Sequence, residues 1–148
     1  HDDAVRAAKL MTMIDRSEMQ PAVVRDLDMW PLVPVLQAAG AVMPDQDWLV
    51  LAKDATLTQQ PFISLSPVLL AAVKQAADNR RVAETVLITN WLLQTGPLET
   101  INPEDLAKVV AALRLIGQED VAKALTKEIL RAHLLNRFAA GIVDGTAS

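Results

Sequence analysis

The stretch that decides the fold is PFISLSP, residues 61–67, whose pattern returns 36 residues later as PLETINP, residues 97–103. Both copies open and close with proline, carry apolar side chains at their second and fifth positions, and place a small polar residue before the second proline. That polar residue, Ser66 or Asn102, is a favoured helix N-cap, and the proline after it fits the first position of a helix. The pattern therefore predicts two equivalent helices, each beginning at the second proline of its copy.

The same spacing reaches further towards the N-terminus. Pro31 lies 36 residues before Pro67, so a less regular third unit is expected to begin near it. Each unit is expected to continue as a helical hairpin. The apolar periodicity is interrupted by turn residues, namely Gly40, the pair Asp78-Asn79 and Gly117, which separate the two helices of each hairpin. The second helices of the hairpins are predicted over residues 44–57, 80–94 and 119–138, and a further helix over residues 3–14, which gives about seven helices in all.

Two helices joined by a short turn and repeated every 30–50 residues are typical of an α-solenoid. Over residues 29–138 the chain resembles tetratricopeptide-like helical repeats in architecture, which implies an all-α fold of stacked helical hairpins. The family's pattern of Trp, Leu-Gly, Tyr, Ala and Phe is absent, and the chain has no Tyr, so the family's peptide-binding residues are not carried over. We expect a single α-helical repeat domain over residues 1–138 and a flexible tail over residues 139–148.

The helical periodicity also predicts which side chains form the core. Core positions are expected at Leu70, Val73, Leu106, Val109 and Leu113. Core packing is likewise the expectation for the three tryptophans, Trp30, Trp48 and Trp91.

Composition excludes several classes of protein. The chain has 148 residues and no Cys, so disulfides, thiolate nucleophiles and cysteine-based metal sites are excluded. Its net charge of −4, with all of the acidic excess in residues 1–50, provides no basic surface for a nucleic acid. No uncharged apolar run approaches the roughly 18 residues of a membrane span.

Candidates for catalysis are few. His133 has no second His at metal-ligand spacing and is expected to be a structural histidine of the last helix. Asp26 and Asp28 form the one internal acidic pair that does not belong to a predicted helix start, and the sequence gives no geometry for them. No glycine-rich loop precedes a helix. We therefore predict no catalytic residue, no metal and no cofactor.

The N-terminal third carries the candidate partner contacts. All five methionines fall within residues 1–43, and the helix over residues 3–14 presents apolar side chains on more than one side. Because Met suits adaptable binding surfaces, Met11, Met13 and Met19 are the candidate contacts for a protein partner or for an upstream segment of the same chain. The alternative is that this helix folds back and buries both of its sides against the first hairpin, since Met is also common in ordinary cores. The expected function is a non-catalytic protein–protein interaction or scaffolding module within a longer chain. Two alternatives remain open: a helical accessory domain of a larger enzyme, such as a cell-wall lytic enzyme, and a small-ligand binder with an apolar cleft between hairpins.

Overall fold

The computed structural model describes residues 2–16, 18, 24, 30–42 and 61–147. Within these ranges the chain is helical apart from turns, short connecting segments and two isolated β-bridges, which confirms the all-α class. The helices are α1 (Asp2–Arg16), α2 (Val33–Ala38), α3 (Pro67–Asp78), α4 (Val82–Leu93), α5 (Pro103–Leu115) and α6 (Glu119–Ala147). Short 3-10 turns, Trp30–Leu32 and Leu98–Thr100, precede α2 and α5. The helix predicted over residues 44–57 lies outside the described residues.

The two equivalent helix starts form as the sequence predicts. The Ser66 hydroxyl accepts a hydrogen bond from the backbone N–H of Leu69 at 3.3 Å, and the Asn102 side chain accepts one from the N–H of Glu104 at 2.9 Å. Each bond satisfies a backbone donor that has no partner within its helix. The proline that follows each cap is the first helical residue. These local bonds fix where α3 and α5 begin.

Three helices end in one motif. After α2, α3 and α5 the chain passes through a residue with positive φ, namely Gly40 at 98°, Arg80 at 59° and Gly117 at 83°. In each case the N–H of the next residue returns to the carbonyl five positions back, as in Arg81 to Ala76 at 2.9 Å. This is the Schellman arrangement, in which glycine is the usual left-handed residue. Arg80 occupies that place without being glycine, so its backbone carries some strain.

Helices α3 and α5 lie side by side and run in the same direction. The segments that lead into them meet in a parallel β-bridge between Ile63 and Ile101. Ile63 N–H donates to the Thr100 carbonyl at 2.7 Å, and the carbonyl of Ile63 accepts from Asn102 N–H at 2.9 Å. The Asp105 carboxylate adds a third link by accepting from the backbone N–H of Leu65 at 2.9 Å. Two segments 36 residues apart in sequence are thus neighbours in space.

Helix α5 is the centre of the described structure. It packs against α3 and α4, against α2 on another side, and against α6, which also contacts α1. The order in space is therefore α2, α5, α3, although the order in sequence is α2, α3, α5. A regular stack of hairpins in sequence order would instead place α2 beside α3, and no substantial contact joins these two among the described elements.

The C-terminal ends of α2, α5 and α3 lie at one end of the molecule, and arginines link them. The Arg114 guanidinium donates to the carbonyl of Ala38, the last residue of α2, at 3.1 Å. The Arg80 guanidinium, from the turn after α3, donates to the carbonyl of Leu115, the last residue of α5. Cations are favoured at helix C-termini, so these contacts offset the cost of aligning three helix dipoles.

The core contains four of the five predicted positions. Val73, Leu106, Val109 and Leu113 are buried. Leu70 is confirmed only in part: its side chain packs against the core but is half-buried, and it also lines an open groove.

Two further expectations differ from the structure. Trp91 is 52% exposed, so core packing is the wrong prediction for this tryptophan. The backbone of residues 139–147 continues α6 beyond residue 138, where the sequence predicts that this helix ends. Neighbouring alanines favour helix and allow the helix to continue beyond the predicted boundary. The flexibility of this segment stays a prediction.

Candidate functional site

The candidate contacts at the N-terminus are divided between core and surface. Met13 is 2% exposed and belongs to the core, so it is not available to a partner at the surface. Met11 is half-buried and packs against the core. Met19 lies outside the described residues. Lys127 of α6 pairs with Asp15 and so fastens α1 to the rest of the structure. Of the three methionines, only Met11 offers a described and partly exposed side chain, and its role as a contact stays a prediction.

A groove of about 760 Å³ lies between α3 and α5. Its apolar wall includes Leu70, Ala71 and Ala77 from α3 and Ala111 and Leu115 from α5. Three of these five side chains are alanines, so the groove is open because small residues face one another across two parallel helices. An incoming side chain could pack closely against both backbones.

Charged groups are placed along this apolar groove. Lys74 of α3 pairs with Asp78 at 3.2 Å, so its charge is already partly balanced. Asp105 at the N-terminal end of α5 uses one oxygen to accept the backbone N–H of Leu65. Lys108 of α5 lines the same groove and is exposed, and it forms no ion pair within the described part of the chain. Among the described residues, the groove therefore carries one ion pair, Lys74 with Asp78, and two charged groups outside any ion pair, the Lys108 ammonium and the Asp105 carboxylate.

A smaller cavity of about 290 Å³ adjoins the groove towards α2, and Ala111 and Leu115 line both. Arg114 lines the smaller cavity and contacts two other segments. Its Nε lies 3.2 Å from a carboxylate oxygen of Glu119, and its Nη1 donates to the carbonyl at the end of α2. The guanidinium is thereby used in helix contacts.

No family model, curated protein or solved structure matches this chain. The interpretation of the groove therefore depends on its own residues and their chemistry.

The residues considered as candidates for catalysis or metal binding are placed as follows. His133 is buried in α6 and has an interaction partner. The residues that the structure describes contain no group of three or more His, Asp or Glu side chains able to hold a metal ion. Asp26 and Asp28 lie outside the described residues. Within the described residues, no helix is long and apolar enough to cross a membrane.

The sequence left open an apolar cleft between hairpins but did not indicate which residues would line it, because the groove arises from the side-by-side placement of α3 and α5. The exposed apolar face of α4 could have been predicted from the sequence. Its segment, VAETVLITNWLL, is apolar on nearly all sides and contains a single charged residue. A helix that is hydrophobic all round is either fully buried or partnered. Its exposed Trp91 shows that it is not fully buried.

Proposed function

We propose that the chain is a non-catalytic protein–protein interaction module that binds a segment of a partner protein in the groove between α3 and α5. The observation that carries this proposal is the groove itself: it is open, largely apolar and formed by rigid helices rather than by loops. Binding sites on packed helices hold their shape before the ligand arrives, which reduces the entropic cost of binding. An apolar groove is also the usual site for an amphipathic segment.

The repeat pattern supports an interaction function. Helices α3 and α5 begin at equivalent residues of the 36-residue pattern, lie parallel and are joined by their lead-in segments. Such neighbouring, equivalent helices are the arrangement expected within an α-solenoid, whose surfaces commonly bind other proteins. We therefore propose solenoid-like stacking for the hairpins that begin at Pro67 and Pro103, with α2 packed against α5.

The groove indicates the chemistry of the partner. Apolar side chains of the partner would cover Leu70, Ala71 and Ala111, and an acidic side chain would meet the ammonium group of Lys108. Because Lys108 is exposed, this ion pair would contribute mainly to specificity and to the rate of association. The proposed ligand is an amphipathic segment that carries an acidic residue among apolar ones.

A peptide library displayed on phage and selected against the full chain tests this proposal. Ala71→Arg places a long charged side chain in the groove, and Ala124→Arg makes the same change at an exposed alanine of α6 outside it. We expect selected peptides to combine apolar and acidic residues and to lose at least about tenfold in affinity on Ala71→Arg, which corresponds to about 1.4 kcal/mol. Peptides that bind Ala71→Arg as well as they bind Ala124→Arg would contradict the proposal.

A small apolar ligand is the second candidate. The groove volume of about 760 Å³ lies within the range of ligand pockets, roughly 300–1,000 Å³. Screening apolar fragments by protein-detected NMR separates the two candidates. Fragments that bind with micromolar affinity and are displaced by no selected peptide would favour the small ligand.

In the accessory-domain alternative the module is part of a larger enzyme, and the groove has the same binding role. In that case the partner segment would belong to a catalytic domain. We propose that the chain has no turnover of its own, so generic ester, phosphate and glycan substrates should be unchanged by it. An activity that His133→Ala abolishes in the folded chain would overturn this part of the proposal.

A further inference from the structure

The walls of the groove between α3 and α5 offer few hydrogen-bond partners for the backbone of a ligand. Apart from Ser64, Leu65 and Asn102 at one end, the groove is lined by residues of the two helices. Backbone groups inside a helix already bond to one another, and the N–H of Leu65 donates to the Asp105 carboxylate. An extended segment would therefore leave its backbone groups unpaired against apolar side chains, whereas a helix pairs them internally.

We infer that the partner segment binds as a helix that runs antiparallel to α3 and α5 and carries an acidic residue followed one turn later by a basic one. This specificity rests on the proposed function of the groove, to which it adds the shape, direction and charge order of the ligand. Helix α3 has 12 residues and α5 has 13, so the groove extends for about 18 Å at a rise of about 1.5 Å per residue. A ligand helix of about 12 residues fills that length.

Two charged groups of α5 define the charge order. Asp105 and Lys108 both line the groove, and neither belongs to an ion pair among the described residues. Residues three apart are neighbours on one side of a helix, and Asp105 is the nearer of the two to the N-terminal end of α5. A helix antiparallel to α5 passes Lys108 first and Asp105 one turn later. The matching ligand residues are an acid and, three or four positions later, a base.

Helix dipoles favour the same direction. Because α3 and α5 are parallel, their positive N-terminal ends lie together, beside the negative C-terminal end of an antiparallel ligand. An acid that precedes a base at this spacing is also the order that stabilises the ligand helix itself. A parallel ligand would need the base first, which is the less favourable order, and would add a third aligned dipole. Direction and charge order thus support each other.

Two synthetic peptides of identical composition test the inference on the full chain. Both are helical, about 12 residues long, with an apolar face of Leu; the first carries Glu with Lys four positions later, and the second has the two exchanged. We expect the first to bind at least about fivefold more tightly, because in the antiparallel direction the exchange sets like charges together. The difference should narrow as the salt concentration rises.

Charge reversal in the protein assigns the pairing. Lys108→Glu should weaken binding of the first peptide about tenfold, and replacing the Glu of that peptide by Lys should restore it. Lys9→Glu is the matched control, since Lys9 is an exposed lysine of α1 that does not line the groove, and it should leave the affinity unchanged. Circular dichroism of each variant checks that the helices are retained.

A nitroxide label on the peptide measures the direction itself. The protein has no Cys, so the label stays on a cysteine added at one end of the peptide. In amide NMR spectra, a label at the N-terminus of the first peptide should broaden the signals of Ala77 and Leu115. A label at its C-terminus should broaden those of Ser64 and Asn102.

The outcomes separate the inference from the proposed function. The reverse broadening pattern, equal affinity of the two peptides, or binding that survives a central Pro in the peptide would overturn the helical, antiparallel ligand. The proposed function stands in those cases as long as Ala71→Arg still weakens peptide binding. If no peptide binds, or if Ala71→Arg has no effect on those that do, both are overturned.

Discussion

Replacing Gly40 by alanine tests the contact that fastens α2 to the central helix α5. At Gly40 the backbone has φ of 98°, and at Gly117 it has φ of 83°. Alanine is strained at both positions, at a cost of about 1 kcal/mol. The surroundings differ: a Cβ at Gly40 would lie 3.0 Å from Nη2 of Arg114, whereas a Cβ at Gly117 would have no neighbour within 4 Å.

The difference between the two sites sets the expected magnitude. At Gly40 the new methyl group would push the Arg114 guanidinium away from the Ala38 carbonyl, to which it donates at 3.1 Å. Losing that hydrogen bond costs about 1 kcal/mol, a modest value because Arg114 is partly exposed. We therefore expect Gly117→Ala to lower the free energy of unfolding by about 1 kcal/mol and Gly40→Ala by about 2 kcal/mol.

A double-mutant cycle with Arg114→Met isolates the contact. Without the guanidinium, the Cβ at position 40 meets no obstacle, so Gly40→Ala should then cost only its backbone strain. The expected coupling between the two substitutions is about 1 kcal/mol, measured by urea unfolding followed by circular dichroism at 222 nm. Equal losses for Gly40→Ala and Gly117→Ala, together with additive behaviour towards Arg114→Met, would refute the reasoning.

Two further substitutions test the core, each by the same unfolding measurement. Leu106 is fully buried in the central helix, so Leu106→Ala should cost about 2–5 kcal/mol, and a loss below about 1 kcal/mol would mean that α5 is not central. The Thr89 hydroxyl is buried without a hydrogen-bond partner among the described residues, so Thr89→Val should stabilise the chain by about 1 kcal/mol. Thr126→Val is the matched control and should give no such gain, because the Thr126 hydroxyl donates to the Ala122 carbonyl at 2.8 Å.

Several helix boundaries of this protein are determined by the local sequence. Ser66 and Asn102 cap α3 and α5, Gly117 ends α5, and α6 begins at Glu119, each as the local pattern predicts. These events depend on hydrogen bonds between groups only a few residues apart, and proline restricts φ wherever the chain is placed. A short window of sequence therefore contains all the atoms that decide them.

One boundary residue could not be assigned in this way. The sequence places a turn at Asp78-Asn79, but the left-handed residue is Arg80, which carries no glycine signal. Its guanidinium holds the end of α5, 35 residues later in the chain. A contact with a distant helix thus accompanies a backbone conformation that local propensity disfavours.

The candidate surfaces were decided by tertiary structure alone. Helical periodicity assigns Leu70 and Trp91 to apolar faces of their helices. It does not indicate which of these faces other helices will cover. Leu70 lines the groove because it lies where α3 and α5 pack side by side, and Trp91 is exposed because the described elements cover only the opposite face of α4. Burial depends on the sum of many weak contacts between residues far apart in sequence, and those contacts exist only once the order α2, α5, α3 has been established.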